Sequence, residues 1–207
     1  MKWTIPNMLT ALRLLAAPMV PVMFLYFARP LADWLALILF AGASVTDWFD
    51  GYLARAWKQQ TKIGTMLDPI ADKAMVIIAL LVICGYSTWT PWLVLPATII
   101  LFREVFVSGL REYLGDTAGT LAVTKLAKWK TTLQMVAIAV LFSQGIFEHQ
   151  AEIKEIAGDM LAEQRYLDFR IWAGRVGVGL LWLAAVLTLV TGWDYFRKAM
   201  PHLREDH

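Results

Sequence analysis

Six long apolar runs, separated by short polar segments, constrain what this chain can fold into. Each run is long enough to cross the hydrocarbon core of a bilayer once its flanking turns are added. The 207-residue chain is 58% hydrophobic and only 17% charged, which is far from the balance of a soluble domain. We therefore predict an all-α integral membrane protein with six transmembrane helices in one bundle, forming a single domain over residues 1–207. The runs lie at about 14–27, 34–46, 74–85, 91–110, 131–147 and 171–192.

The first residues predict a separate helix that lies on the membrane surface before the first span. In the segment of about 4–13, apolar and polar side chains alternate at helical spacing, and Pro6 suits a first helical turn. This amphipathic pattern is typical of an N-terminal interfacial helix. The apolar positions are Ile5, Met8, Leu9 and Leu12, and the polar positions are Asn7, Thr10 and Arg13.

Basic residues near the ends of the runs predict the orientation of the bundle, because cytoplasmic span ends carry an excess of lysine and arginine. We therefore expect both termini to be cytoplasmic, and the polar segment 148–170 to form a surface helix on the opposite side. The face that holds the N-terminus receives Lys2, Arg13, Arg55, Lys58, Lys62, Arg111, Lys125, Lys128, Lys130, Arg197, Lys198 and Arg204. The other face receives mainly Arg29, Lys154, Arg165 and Arg170.

Four aspartates stand among residues that otherwise suit a bilayer. Asp47 and Asp50 are three apart at the end of the second run, and Asp68 and Asp72 are four apart before the third. Both spacings place the paired carboxylates on one helix face. Because the second span enters the cytoplasm and the third leaves it, we expect all four carboxylates to gather at one face of the membrane.

Such carboxylates at the edge of a low-dielectric region would repel one another unless a cation lay among them. Oxygen ligands without thiolate or imidazole favour a hard divalent ion. We therefore predict a site for Mg2+ or Mn2+. Four carboxylates suit two such ions, and a pair of ions is a common device for holding a diphosphate during displacement at phosphorus. The predicted metal ligands are Asp47, Asp50, Asp68 and Asp72.

Small residues beside the aspartates favour the same interpretation. Gly51 and Ala54 would leave a shallow groove in which a flat ring or a diphosphate could approach the backbone. Arg55 offers a charge that can pair with phosphate. Gly64 stands one turn before the third aspartate and would do the same for the next helix.

A structural interpretation exists for each aspartate taken alone. Asp68 precedes Pro69 and could cap a helix that begins there, with Asp72 as an acidic residue of its first turn. Asp50 with Arg55 could be charges that merely end a span. A cation transporter is a further alternative, but it would hold its carboxylates near the bilayer midplane, often in repeated halves. Taken together the residues favour a functional site, because charged residues within membrane segments are usually functional.

Every fixed position of the CDP-alcohol phosphotransferase signature has a counterpart among these residues, and the chain resembles that family. The resemblance implies a six-helix membrane fold. It also implies a reaction in which a hydroxyl attacks the β-phosphorus of a CDP-linked lipid and CMP leaves. The matching pattern is Asp47-x2-Asp50-Gly51-x2-Ala54-Arg55-x8-Gly64-x3-Asp68-x3-Asp72.

The resemblance further implies roles for these residues. The four aspartates would surround the metal ions, and Asp72 would also be the general base for the incoming hydroxyl. CDP-diacylglycerol would be the lipid donor. A homodimer in the bacterial cytoplasmic (inner) membrane, with its active site facing the cytoplasm, is also implied. The residues expected along the cytidine diphosphate are Asp47, Gly51, Ala54, Arg55 and Gly64.

Basic residues of the fourth and fifth spans favour an acceptor that carries its own phosphate. Arg103 stands among apolar residues, where a charge is costly without a partner. The lysines could instead be ordinary topology determinants, and Lys128 and Lys130, two apart, cannot share one helix face. The candidate phosphate ligands are Arg103, Arg111, Lys128 and Lys130.

These basic segments and the opening residues resemble the family branch whose acceptor is sn-glycerol 3-phosphate. By that resemblance Asn7, Thr10 and Arg13 would lie near the headgroup region. Other branches use serine, inositol phosphate, choline or phosphatidylglycerol and share the aspartate pattern, so the acceptor stays open at this point.

Overall fold

Six α-helices make up the described part of the protein in a computed structural model. The backbone is described for residues 4–56, 61–87, 89–115, 119 and 125–203, and the side chains of these ranges except those of 47–56, 125, 127 and 128. Each apolar run lies within one helix, which confirms the all-α prediction. The helices are α1 (Ile5–Tyr26), α2 (Leu31–Ala56), α3 (Lys62–Tyr86), α4 (Pro91–Leu114), α5 (Lys125–Ile156) and α6 (Met160–Leu203).

Among the described residues, α1, α4, α5 and α6 are long and apolar enough to cross a membrane. The apolar stretch described in α2, Leu31–Thr46, is shorter. Large apolar side chains point outward, including Leu15, Leu25 and Phe102, which are 67%, 71% and 68% exposed. Such a surface suits lipid rather than water. The structure therefore supports a membrane protein, and the count of six spans stays a prediction.

The separate interfacial helix over about 4–13 was a wrong expectation. Residues 5–26 form one continuous helix, α1, with Pro6 in its first turn and Pro18 and Pro21 inside it. No residue near Arg13, where the apolar run begins, would break the helix. The polar face that seemed suited to water is instead buried against α3, as described below.

The polar segment 148–170 is also not a single surface helix. Helix α5 continues through Ile156, the chain turns at residues 157–159, and α6 starts at Met160. Gly158 adopts a φ of 75°, a left-handed conformation that costs glycine little, and so the two helices can reverse direction there. With 32 residues in α5 and 44 in α6, these helices are longer than a hydrocarbon core requires. The segment is therefore the tip of a helical hairpin.

Small residues let the helices approach one another closely inside the bundle. Ala17, Ala36, Ala79, Ala137 and Ala184 are all fully buried in the main core. Close packing of small residues is the usual way in which helices associate in a membrane. The larger side chains that fill the remaining space include Val20, Phe40, Met75, Leu80, Ile138 and Leu181.

The helices define two ends of the bundle. The aspartate end contains the first half of α1, the starts of α3 and α5, and the last turns of α4 and α6. The hairpin end contains the end of α1, the start of α2, the end of α3, the start of α4, and the part of α5 and α6 near their connection. The two cavities discussed below lie at opposite ends.

Candidate active site

The polar face of α1 packs along the start of α3. Thr10 Oγ1 donates a hydrogen bond to Asp68 Oδ1 at 2.6 Å, and Arg13 forms a hydrogen-bonded ion pair with Asp72. One turn earlier, Thr61 Oγ1 donates to Asn7 Oδ1 at 2.9 Å. Asn7, Thr10 and Arg13 recur every three residues, so they share one face of α1, and the same face meets successive turns of α3.

These three α1 residues are among the most buried polar groups of the described chain, at 4%, 1% and 3% exposure for Asn7, Thr10 and Arg13. We expected them near the headgroup region, and the structure buries them against the start of α3, where Thr10 and Arg13 contact its carboxylates. Ile5, Met8 and Leu12, on the other side of the helix, are 54%, 58% and 62% exposed. The sequence pattern therefore predicted correctly which residues share each face of α1. The polar face, however, contacts a helix instead of water.

Helix α3 begins earlier than the apolar run, at Lys62, and Thr61 caps it by accepting a hydrogen bond from the Gly64 backbone nitrogen at 3.1 Å. Pro69 consequently lies inside α3. The alternative in which Asp68 caps a helix that begins at Pro69 is wrong. Asp68 and Asp72 are one turn apart on an established helix, where no capping role accounts for them.

Asp47 and Asp50 lie on α2, whose backbone continues as a helix through Ala56. The three-residue spacing therefore does fall on a helix. The structure does not describe the side chains of residues 47–56, which include both aspartates, Ala54 and Arg55. The described side chains hold no group of three or more potential metal ligands close together, and two of the four predicted carboxylates are not among them.

A polar cavity of about 250 Å3 begins beside Asp72 and extends between α3, α4 and α5. Arg103, Arg111 and Lys130, three of the four predicted phosphate ligands, line it together with Asp72. The side chain of Lys128 lies outside the described residues. The structure thus brings together the predicted base and the predicted basic residues that it describes.

Glu104 connects two of these cations within the cavity. Its carboxylate accepts a hydrogen bond from Arg103 Nη1 at 3.1 Å and forms an ion pair with Lys130, which is only 5% exposed. A buried lysine is costly without such a partner. Glu104 therefore fixes the two basic side chains in place before any phosphate arrives.

Contacts between helices hold the side chains that line this cavity. Lys73 donates a hydrogen bond to Ser108 of α4, and the Arg111 guanidinium carbon lies 5.1 Å from the centre of the Tyr195 ring of α6. Gly192 of α6 lets the stem of Arg103 approach, because a Cβ there would lie 2.9 Å from Arg103 Cγ. The arginines are thus held by contacts on both α4 and α6.

Lys73 and Ser108 also line the cavity, although their positions in the sequence do not indicate it. Lys73 follows Asp72 directly, and this position does not indicate that its side chain reaches α4. Ser108 stands between Arg103 and Arg111 in the sequence, and only helix packing shows that it faces α3.

Gly64 has a packing role that the sequence did not show. A Cβ at this position would lie 2.6 Å from Asn7 Oδ1 and 3.3 Å from Thr61 Oγ1. Only glycine allows α1 to approach α3 this closely without a shift. Its predicted contact with cytidine diphosphate is not tested by this geometry.

Comparison with known proteins identifies the family of the chain. The family model for CDP-alcohol phosphatidyltransferase matches residues 3–190. The chain belongs to the CDP-alcohol phosphatidyltransferase family, and it is therefore a transferase.

Curated relatives extend over essentially the whole chain. A protein of Cereibacter sphaeroides is 57% identical, with all of both chains aligned. Proteins of Rickettsia bellii and Escherichia coli strain K12 are 39% and 35% identical and align over 96% and 98% of each chain. All three are named CDP-diacylglycerol–glycerol-3-phosphate 3-phosphatidyltransferase.

Proposed function

We propose that the protein transfers the phosphatidyl group of CDP-diacylglycerol to sn-glycerol 3-phosphate, giving phosphatidylglycerophosphate and CMP in phospholipid biosynthesis. The observation that carries the proposal is the cavity in which Asp72 faces Arg103, Arg111 and Lys130. The names of the full-length relatives support the same donor and acceptor.

The charge around the cavity suits an acceptor with its own phosphate. Its lining carries four cations, Lys73, Arg103, Arg111 and Lys130, and two carboxylates, Asp72 and Glu104, so positive charge exceeds negative by two. A phosphate monoester carries close to two negative charges at neutral pH. Arginine also presents a planar fork of donors that matches phosphate oxygens.

Asp72 is the proposed general base. With its phosphate on the basic residues, the acceptor would extend toward Asp72, whose carboxylate takes the proton of the attacking hydroxyl. The new bond forms between that hydroxyl oxygen and the β-phosphorus. The bond from the β-phosphorus to the bridging oxygen breaks, and CMP leaves with the electron pair. Arg13 positions the carboxylate from the side of α1.

Asp47, Asp50, Asp68 and Asp72 are the proposed ligands of Mg2+ or Mn2+, with two ions expected. A carboxylate has about four lone-pair sites, so the hydrogen bond from Thr10 leaves Asp68 able to coordinate a cation. When bound, the ions would supply positive charge that neutralises the diphosphate and the leaving CMP oxygens.

The remaining assignments belong to the same proposal. Asp47, Gly51, Ala54, Arg55 and Gly64 would lie along the cytidine diphosphate. Lys128 would join the acceptor phosphate ligands. The chain would form one domain, work as a homodimer in the cytoplasmic membrane of a bacterium, and open its active site to the cytoplasm.

Release of CMP from CDP-diacylglycerol by the purified protein tests this function. The assay compares glycerol 3-phosphate, serine, inositol, inositol phosphate and phosphatidylglycerol as acceptors, each with and without Mg2+ or Mn2+. We expect metal-dependent release with glycerol 3-phosphate alone. Release with a different acceptor would overturn the assignment of the basic cavity and keep the aspartate site, whereas no release with any acceptor would overturn both.

A further inference from the structure

A second polar cavity lies at the hairpin end of the bundle, remote from the aspartates. Its volume is about 550 Å3, more than twice that of the cavity beside Asp72. The walls come from the end of α1, the start of α2, the end of α3, the start of α4, and facing stretches of α5 and α6. The proposed transfer reaction uses none of these residues.

Arg29 is held by several contacts at one side of this cavity. Its Nε donates to Asp33 Oδ2 at 2.7 Å, a second guanidinium nitrogen donates to Asp33 Oδ1, and Asp33 is 1% exposed. The guanidinium carbon also lies 5.5 Å from the ring centres of both Phe24 and Tyr86. A guanidinium has five N–H donors, and Asp33 uses two of them. The others remain able to bind an anion.

A glycine of α5 leaves the space that the ion pair of Arg29 and Asp33 occupies. A Cβ at Gly145 of α5 would collide with both Arg29 and Asp33, so no larger residue fits beside the pair. The ion pair therefore lies directly against the backbone of α5. Asp33 is the buried member of this pair, and Arg29, whose side chain is 40% exposed, extends from it at the cavity wall.

Two more arginines face the same cavity from α6. Arg170 lies 3.6 Å from Glu148, a distance too long for a strong hydrogen bond. Arg175 forms no ion pair with any side chain that the structure describes. The lining carries one excess positive charge, because it has three arginines and two carboxylates. These residues are Arg29, Arg170, Arg175, Asp33 and Glu148.

The position of the cavity along the bundle favours a lipid as its ligand. Trp92 and Trp172 at the same end are 70% and 62% exposed, and Trp182 Nε1 donates to the Trp92 carbonyl at 3.0 Å. Exposed tryptophans mark the boundary between membrane and water. Phospholipid phosphates lie at this level, and a phosphodiester carries one negative charge, which equals the excess on the cavity lining.

We propose that this hairpin-end cavity binds the phosphodiester headgroup of a phospholipid from the leaflet opposite the aspartates. Arg175 and Arg170 would contact the phosphate, and Arg29 would supply further donors from the cavity wall. This proposal concerns residues outside the transfer site, so its test does not depend on the proposed reaction.

Native mass spectrometry of the delipidated full-length protein in detergent tests the proposal. Dioleoylphosphatidylglycerol, dioleoylglycerol and inorganic phosphate are titrated separately, and a photoreactive phosphatidylglycerol locates the headgroup by crosslinking. Arg175→Gln and Arg170→Gln are compared with Arg165→Gln, which removes the same charge from an exposed position outside the cavity. CMP release by each variant is measured in parallel to show that the protein is folded and active.

We expect crosslinks within residues 170–178 and about tenfold weaker binding of phosphatidylglycerol by Arg175→Gln, since a charge-assisted hydrogen bond is lost. Arg165→Gln should bind as the unchanged protein does. The proposal is overturned if Arg175→Gln and Arg165→Gln bind equally, or if crosslinks appear only at the aspartate end. It also fails if dioleoylglycerol binds as tightly as phosphatidylglycerol, or if inorganic phosphate displaces the lipid, which would indicate a site for a free anion.

Discussion

Arg13 of α1 forms a hydrogen-bonded ion pair with Asp72 of α3, across 59 positions of the sequence. The arginine side chain is 2% exposed and the aspartate side chain 40% exposed. A buried donor thus holds a carboxylate that lines the cavity between α3, α4 and α5, the proposed acceptor cavity. The arrangement positions the proposed base from the side of α1, while its side chain stays partly exposed.

Arg13→Gln is expected to lower the turnover of CMP release by about a hundredfold, because misplacing a catalytic group by about 1 Å can cost that much. Steady-state kinetics should show the loss in kcat, with the KM for glycerol 3-phosphate changed much less. Arg13→Lys keeps the charge and should recover part of the turnover. The positioning role would be refuted by an Arg13→Gln enzyme that retains turnover within twofold of the parent.

Gly64→Ala is expected to destabilise the protein through the contact between α1 and α3. The new methyl group would lie 2.6 Å from Asn7 Oδ1, so the Asn7 side chain or the helices must shift, and overpacking of this kind costs about 1–3 kcal/mol. Thermal unfolding in detergent measures the change. Gly85→Ala on the same helix is the matched control, because a Cβ there meets no atom within 4 Å.

A double variant separates packing at Gly64 from its proposed contact with cytidine diphosphate. Asn7→Ala removes the amide that the new methyl group would meet, so Gly64→Ala with Asn7→Ala should regain most of the lost thermal stability. Recovered stability with a persistently high KM for CDP-diacylglycerol would support a nucleotide contact. No recovery would contradict the packing explanation.

Sequence spacing predicted the helices and the two faces of α1 well, because helical periodicity determines which residues share a face. The spacing could not show which element packs against each helix face. The polar stripe of Asn7, Thr10 and Arg13 fits water and fits a polar helix equally well, and only the packing of α1 on α3 decides between them. Lys73 and Ser108 meet for the same kind of reason, since their contact depends on how α3 and α4 are rotated. The hairpin-end cavity likewise requires six helices to be assembled before it exists.

Arg111→Gln is expected to raise the KM for glycerol 3-phosphate by about 10- to 100-fold, the range for loss of a hydrogen bond to a charged group. The KM for CDP-diacylglycerol should change little, because Arg111 lines the acceptor cavity. Arg197→Gln removes an exposed positive charge from the same end of the bundle and serves as control. Equal effects of the two substitutions would indicate general electrostatics instead of a phosphate ligand.

Removal of divalent ions with EDTA is expected to abolish CMP release and to lower the thermal unfolding midpoint, since the proposed ions neutralise clustered carboxylates. Added Mg2+ or Mn2+ should restore both. Electron paramagnetic resonance of Mn2+ measures ion binding independently of turnover, and Asp68→Asn should weaken that binding. Asp194→Asn is the control, because Asp194 lies on α6 and pairs with Lys198 at 2.7 Å. Mn2+ binding that is unchanged in Asp68→Asn would remove Asp68 from the metal site, since an asparagine amide is a much weaker ligand for a hard cation than a carboxylate.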